Sequence, residues 1–248
     1  MEDRYIYIYG RHAVEAALTY RPDVVKVLYL RDDIREDFPG ALKSRVPKLQ
    51  GFSGKKLPVP VLPDVVHQGV LAKIDKDALI LSYEAFQAQL TVSPDTCLAV
   101  LGEIQDPHNV GAVIRSAAAF GIAAVLVPKH RQASITGAVV KVSVGTAFQV
   151  PLVEIGNVNQ TLETLKAAGY FVYGLAGEGT ESVSKEQFTK PTVFVFGNEA
   201  EGLREKTREH CDTLLTIPMH PRCESLNASV SAAVAFYAWS AQHPAALM

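Results

Sequence analysis

LAVLGEIQDPHNVGAVIRSAAAFGIAAVLVP, residues 98–128, decides the architecture. It opens on the apolar run LAVLGEI (98–104), turns at Asp106 and Pro107, continues through GAVIRSAAAFG (111–121) and closes on a second apolar run, AAVLVP (123–128). An apolar run without period-two alternation is the pattern of a strand buried on both faces. Asp106 or Asn109 can cap the helix that leaves the turn. Strand, helix and strand in this order form a parallel crossover unit.

The same texture extends downstream. PLVEI (151–155), YFVYGLA (170–176), TVFVFG (192–197) and TLLTIPM (213–219) are four further apolar runs. Helical segments stand between most of them: ASITGAVVKVSVGTAF (133–148), NQTLETLKAAG (159–169) and GLREKTREHC (202–211), with SLNASVSAAVAFYAWSA (225–241) closing the chain. Alternating strands and helices predict an α/β fold with a mainly parallel sheet and helices on both faces. Upstream, the texture changes at FQAQLTVSPDTC (86–97). AVEAAL (13–18) reads as a helix, and VVKVLYL (24–30) and DALILSY (77–83) read as strands. We therefore expect a small amino-terminal α/β domain over residues 1–85, a linker over 86–96 and a larger domain over 97–248.

Composition narrows the function. The 248 residues carry 24 Lys and Arg against 26 Asp and Glu, a net charge of -2, so no global field draws in a polyanion. One local basic stretch exists: KSRVPKLQGFSGKK (43–56) holds Lys43, Arg45, Lys48, Lys55 and Lys56 and no acid. It is either a solvated face or a nucleic-acid contact. No apolar run reaches the about 18 residues of a membrane span, and the start, MEDRYIYIYG, is not that of a secretory signal. Cys97, Cys211 and Cys223 form no CxxC pair, which excludes a disulfide framework and a zinc ribbon and fits a reducing, cytoplasmic setting.

In open parallel sheets ligands lie beyond the carboxyl ends of the strands. Three such stretches carry chemistry. In the first, Arg115 sits among Val113, Ile114, Ala117 and Ala118 and needs an anion, either a ligand or a structural partner such as Glu103. In the second, GNEAEGL (197–203), Gly197 allows close backbone approach and Glu199 or Glu201 stands where a helix would start, so capping accounts for one of the acids. In the third, IPMHPRCESLNAS (217–229), one of Ser225, Asn227 and Ser229 is explained as an N-cap, and the others are not. Dinucleotide and P-loop signatures are absent, since GLAGEG (174–179) lacks the glycine register that seats a pyrophosphate. No GxSxG elbow and no paired histidine spacing occur.

In order and spacing, NVGAVIRSAAAFG, FVFGNEAEGL and IPMHPRCESLNASVSAAVAFY resemble the three motifs of the SpoU (TrmH) family of RNA ribose 2′-O-methyltransferases, with KVSVGTAFQVPLV (141–153) between the first two. YGRHAVEAAL and HQGVLA (67–72) are similar to the small ribosomal-protein-like RNA-binding domain of the branch that modifies large-subunit ribosomal RNA. The resemblance implies a carboxyl-terminal trefoil knot of the SPOUT class, a homodimer, an RNA substrate and S-adenosylmethionine as cofactor, with no metal and no membrane. It places the cofactor against Gly177, Gly197, Ile217, Met219 and Leu226. It makes Asn109, Arg115, Glu199, Ser225 and Asn227 the catalytic set. A guanidinium holds its proton at neutral pH, so Arg115 is assigned to a phosphate and to polarising the ribose hydroxyl rather than to proton abstraction. In that assignment Asn109 and Asn227 orient Arg115 or the ribose and Ser225 bridges them. The charged stretch His220–Glu224 is unusual for the ribosomal branch and keeps transfer RNA open as the substrate; a silent RNA-binding protein of the same fold is the third reading.

Overall fold

The structure, a computed structural model, describes residues 4–53, 57–61, 65–198 and 200–248. In chain order the elements are β1 Tyr5–Tyr9, α1 Arg11–Tyr20, β2 Val25–Arg31, α2 Gly40–Lys43, β3 Leu49–Phe52, β4 Val70–Asp75, α3 Lys76–Leu79, β5 Ile80–Ser82, α4 Tyr83–Gln87, β6 Cys97–Leu101, α5 Pro107–Ala119 and β7 Ala124–Pro128. They continue with α6 Gly137–Val142, β8 Leu152–Ile155, α7 Val158–Ala167, β9 Phe171–Leu175, β10 Glu181–Ser182, β11 Thr192–Phe196, α8 Glu205–His210, β12 Thr213–Thr216 and α9 Ala228–Ser240. The chain divides into two compact units, residues 1–80 with 135–149, and residues 81–134 with 150–248. The segment Ile135–Gln149, which sequence texture assigns to the larger domain, thus clusters with the amino-terminal unit.

The first unit is built on a four-stranded sheet in the order β1-β4-β2-β3. β4 runs antiparallel to both β1 and β2, and β3 runs parallel to β2. The alternation in YIYIY sends Ile6 and Ile8 to one face and Tyr5, Tyr7 and Tyr9 to the other. Ile8, Val14, Leu18, Leu28 and Leu30 are fully buried in its core. α6 lies so close to β1 that a Cβ on Gly137 would stand 2.1 Å from the Tyr7 carbonyl oxygen, which requires glycine there. The expected strand DALILSY is corrected: Lys76–Leu79 is helical and only Ile80–Ser82 is extended. The residues before it, VLAKID, form the strand instead, because β1 and β2 pair with them on both sides. The basic stretch 43–56 is partly structural. Arg45 donates to the carbonyls of Leu18 (3.0 Å) and Thr19 (3.3 Å) in the last turn of α1, and Lys43 donates to the Arg35 carbonyl at 2.8 Å. Lys55 and Lys56 lie outside the described residues.

The second unit carries an eight-stranded sheet in the order β10-β12-β9-β11-β6-β7-β8-β5. The ladders β10/β12, β12/β9, β9/β11, β11/β6, β6/β7 and β7/β8 are all parallel. Every residue of β6, β7 and β11 is buried, which is the physical source of their unbroken apolar runs. Leu98, Val100, Leu126, Val153, Val193 and Val195 fill one side of the core. An aromatic cluster of Tyr173, Phe188, Phe194, Phe196 and Phe236 fills the other. β11 enters between β9 and β6, late in sequence but central in space. The chain then returns from β12 to pack α9 against α5. Among the described residues no helix is long and apolar enough to cross a membrane.

Candidate active site

The first motif follows β6. Asp106 caps α5, its carboxylate accepting the backbone N–H of His108 at 2.8 Å, and Pro107 occupies the first turn, where its missing N–H costs nothing. Of the two candidate caps it is thus Asp106 that serves, the helix starts at Pro107, and Arg115 falls on its third turn. Arg115 is exposed and makes no ion pair among the described residues. Glu103, the structural partner considered for it, pairs instead with Arg204 at 2.6 Å. A surface guanidinium with no ion pair among the described residues keeps its planar donor array available to an external anion.

Asn109 is only 6% exposed. Its Oδ1 accepts a hydrogen bond from Nδ2 of Asn227 at 2.9 Å, across 118 residues of sequence. Asn227 is the N-cap of α9, and its Oδ1 accepts both the backbone N–H of Ser229 (2.8 Å) and the Ser229 hydroxyl (2.6 Å). With Oδ1 committed to these donors, the amide can only point its NH₂ at Asn109. One asparagine thus caps a helix and ties the third motif to the first. Ser225 does not bridge the two asparagines; its carbonyl takes the Cys223 thiol at 3.2 Å, and the side chain is exposed at the mouth of a cavity. The charged stretch before it is an exposed turn, closed by the Cys223 N–H on the His220 carbonyl at 2.9 Å and by the Arg222 N–H on the His220 ring at 3.2 Å.

That cavity, about 310 Å³, opens beyond the carboxyl ends of β9, β11 and β12. Gly177, Gly197, Ile217, Met219 and Leu226 all line it, as does Ser225, so residues from three distant stretches meet at one place. Leu175, Phe196, Leu203 and Leu215 add apolar wall, and an ion pair between Arg208 and Glu178 stands at its side. The two glycines differ. A Cβ on Gly197 would meet the backbone of Gly202 and Leu203, so the protein's own chain already requires glycine there. A Cβ on Gly177 would meet nothing within 4 Å. Bare backbone there leaves room at the cavity wall.

The second motif is not a helix start. Asn198 and Gly202 exchange backbone hydrogen bonds of 3.0 and 2.9 Å, and Asn198 Oδ1 accepts the N–H groups of Ala200 (2.9 Å) and Glu201 (3.2 Å). Gly202 turns the chain out at φ +67°, and α8 begins only at Glu205. Glu201 therefore caps no helix. The Asn198 side chain has already taken the N–H groups that a carboxylate would have met. Its Nδ2 donates to the Glu103 carbonyl at 3.0 Å, which anchors this lip of the cavity to the exit of β6. Glu199 lies outside the described residues. Asn198 is the residue that sequence reasoning passed over; an asparagine between a strand-ending glycine and two acids is a side-chain turn signal.

No cluster of three His, Cys, Asp or Glu residues with metal-binding geometry occurs among the described residues. Burial raises the Cys97 thiol well above its usual range and pushes Cys211 up to about 12, so neither is a thiolate nucleophile at neutral pH.

Comparison with known proteins converges on one family. The model of the SpoU rRNA Methylase family matches residues 96–237, and that of RNA 2′-O ribose methyltransferase substrate binding matches residues 7–79. The chain is 37% identical over 237 residues to the 23S rRNA (guanosine-2′-O-)-methyltransferase RlmB of Pseudomonas putida, covering 93% of this chain and 94% of that one. It is 39% identical over 235 residues to the protein of the same name from Pseudomonas syringae pv. tomato, covering 93% of each. Among solved structures, the SpoU methyltransferase AviRb from Streptomyces viridochromogenes, in complex with AdoMet, superposes with a TM-score of 0.82 at 21% identity, covering 98% of this chain and 92% of that one.

Proposed function

The chain belongs to the SpoU rRNA Methylase family, and from that premise we propose that it methylates the ribose 2′-hydroxyl of a guanosine in large-subunit, 23S-type ribosomal RNA, using S-adenosylmethionine. The reading is carried by the hydrogen bond between Asn227 and Asn109, which joins the first and third motifs beside a cavity lined by every residue expected to touch the cofactor. The cofactor supplies a methyl group on a sulfonium, which in-line attack by an oxygen nucleophile can take without a metal. The cavity suits it: about 310 Å³ of apolar-walled space, with open room at Gly177. Gly177, Ile217, Met219 and Leu226 hold it, while Gly197 shapes the lip.

The chain's own part in the reaction is positioning, which can supply much of the rate when the reacting atoms are held about 3 Å apart. Arg115 grips the phosphate next to the target ribose and withdraws charge from the hydroxyl while keeping its own proton. Asn227 and Asn109 fix the start of α5 and so the path along which Arg115 reaches. Glu199 steadies that constellation, and Ser225 faces the ribose at the cavity mouth. The amino-terminal domain, residues 1–85, recruits RNA, in keeping with the substrate-binding model matched there, and residues 86–96 serve as its linker.

A trefoil threading of the carboxyl-terminal chain belongs to the same reading, supported by the late entry of β11 between β9 and β6. So does a homodimer. α9 is apolar around most of its circumference, yet Val230 is 46% and Tyr237 63% exposed, with the Phe120 ring edge-on to Tyr237 at 5.9 Å. A second copy would cover that face, and sedimentation velocity on the wild type and on Tyr237→Glu would report it as loss of the dimer. The activity is tested by mapping ribose methylation in total RNA from cells with and without the gene, followed by restoration with purified protein and labelled cofactor. One guanosine of the large-subunit RNA should lose its methyl and regain it; an unchanged map overturns the reading.

A further inference from the structure

A second cleft, about 360 Å³, opens beyond the carboxyl ends of β6, β7 and β8, on the same edge of the sheet as the first cavity. Its basic side chains are His130, Arg131 and Arg204, against one acid, Glu103. Arg131 and His130 are exposed, and Arg131 makes no ion pair among the described residues. Arg204 is half-exposed and held at the cleft wall by Glu103 at 2.6 Å, an arrangement that leaves donors of its five-donor guanidinium free. Four non-glycine residues among those described have left-handed backbone, and two of them, Glu103 (φ 69°) and Arg131 (φ 57°), line this cleft. Such strain is retained where the surroundings hold it in place. Here Gln132 anchors the loop, its Oε1 accepting the Ile104 N–H at 2.8 Å, and this presents Arg131 outward.

The cleft adjoins the transfer site through two links. Leu203 lines both spaces. The Glu103 carbonyl holds Asn198 on the lip of the first cavity, while the Glu103 carboxylate holds Arg204 in the second. We propose that this cleft receives the sugar–phosphate backbone of the RNA strand flanking the methylated nucleotide, with Arg131 and Arg204 as its phosphate contacts. The inference rests on the functional reading above. An open, cation-rimmed trough suits a passing polyanionic strand, and phosphate contacts give position rather than sequence. Orientation of the flanking strand beside the cavity is what in-line transfer demands of the substrate.

The test measures binding of protein-free 23S-type ribosomal RNA, from cells lacking the gene, to the full-length protein across a salt series. Arg131→Ala should raise Kd about tenfold and lower the slope of log affinity against log salt by about 1, and Arg131→Glu should raise Kd further. Arg204→Ala should act in the same direction. The loss should appear in KM for RNA rather than in cofactor affinity. Lys129→Ala is the control, since Lys129 carries the same charge two residues away but lies outside the cleft, facing Glu154 at 3.6 Å. Its Kd should stay within about twofold of wild type. Unchanged Kd and slope for Arg131→Ala, or equal losses for Lys129→Ala, would overturn the subsite. Failure of the wild type to methylate any RNA, with the Arg131 effect on binding intact, would instead sink the functional reading and leave the subsite standing.

Discussion

Two spaces on one edge of one parallel sheet differ in chemistry because different loops close them. Beyond β9, β11 and β12 the walls are mainly leucines, a phenylalanine and bare glycine backbone; Arg208 there pairs with Glu178, and the other charged lining residues are two acids, Glu201 and Glu224. Beyond β6, β7 and β8 the walls are arginine, histidine and asparagine, and charge stands open to solvent. The central strands β11, β6 and β7, which serve the two spaces, are alike, fully buried and mainly apolar. The sheet therefore fixes where ligands can sit, and residues a few positions past each strand decide which ligand sits there.

The contrast can be broken most severely at Arg115, which belongs to neither wall. Arg115→Ala should reduce methyl transfer by about 10²–10³-fold, as loss of a single transition-state donor does, while cofactor affinity stays within a few fold. Arg115→Lys should also fail, because one ammonium cannot reproduce the planar fork. Single-turnover transfer on saturating RNA, beside calorimetric cofactor binding, checks both; half the wild-type rate in Arg115→Ala would remove Arg115 from the reaction.

The two glycines sharpen the account of the apolar cavity. Gly177→Val should weaken cofactor binding by about 30-fold at unchanged melting temperature, because its side chain enters open space that the ligand needs. Gly197→Val should instead lower stability by about 3 kcal/mol, because its side chain meets the chain's own Gly202 and Leu203. Calorimetry and thermal melts separate the outcomes, and identical behaviour of the two variants would show that they share one role.

Asn227→Asp isolates the bond between motifs. Aspartate still caps α9 but faces the Asn109 oxygen with a second acceptor, so helix stability should hold while kcat falls about tenfold. Asn227→Ala should lose the cap as well, about 1 kcal/mol by chemical denaturation. Wild-type kcat in Asn227→Asp would reduce the bond to packing.

The smallest effect lies in the amino-terminal unit, outside both spaces. The Arg4 guanidinium, 2.7 Å from the almost fully buried Asp75, holds that carboxyl below its ordinary range, opposed by burial and assisted by Lys26. A depressed folded value stabilises the protein above the unfolded pKa of about 3.9, and the contribution disappears as pH falls through the folded value. Amide protection factors in β1 and β4, corrected for intrinsic exchange, should therefore fall below about pH 4 in the wild type. Asp75→Asn should already show lower protection at neutral pH, with protection factors that change little on acidification; matching pH profiles would remove Asp75 from the account.

Much of this protein is legible from periodicity alone. Unbroken apolar runs mark β6, β7 and β11 because burial on both faces leaves almost no position for a polar residue, while β8, β9 and β12, less completely buried, were legible from shorter apolar runs. The motifs at their ends identified the chemistry, and the five residues read as cofactor contacts do meet around one cavity. Local pattern failed where pairing between distant strands outweighed it. β1 and β3 went unread, and DALILSY gave up its strand to VLAKID because β1 and β2 claimed that register from both sides. Tertiary structure alone decided three points at the sites: that Glu103 belongs to Arg204 rather than to Arg115, that the chain itself demands glycine at position 197, and that Asn227 both caps and clamps. Each depends on which side chain arrives opposite another across tens of residues, and spacing along the chain carries no information about that arrival.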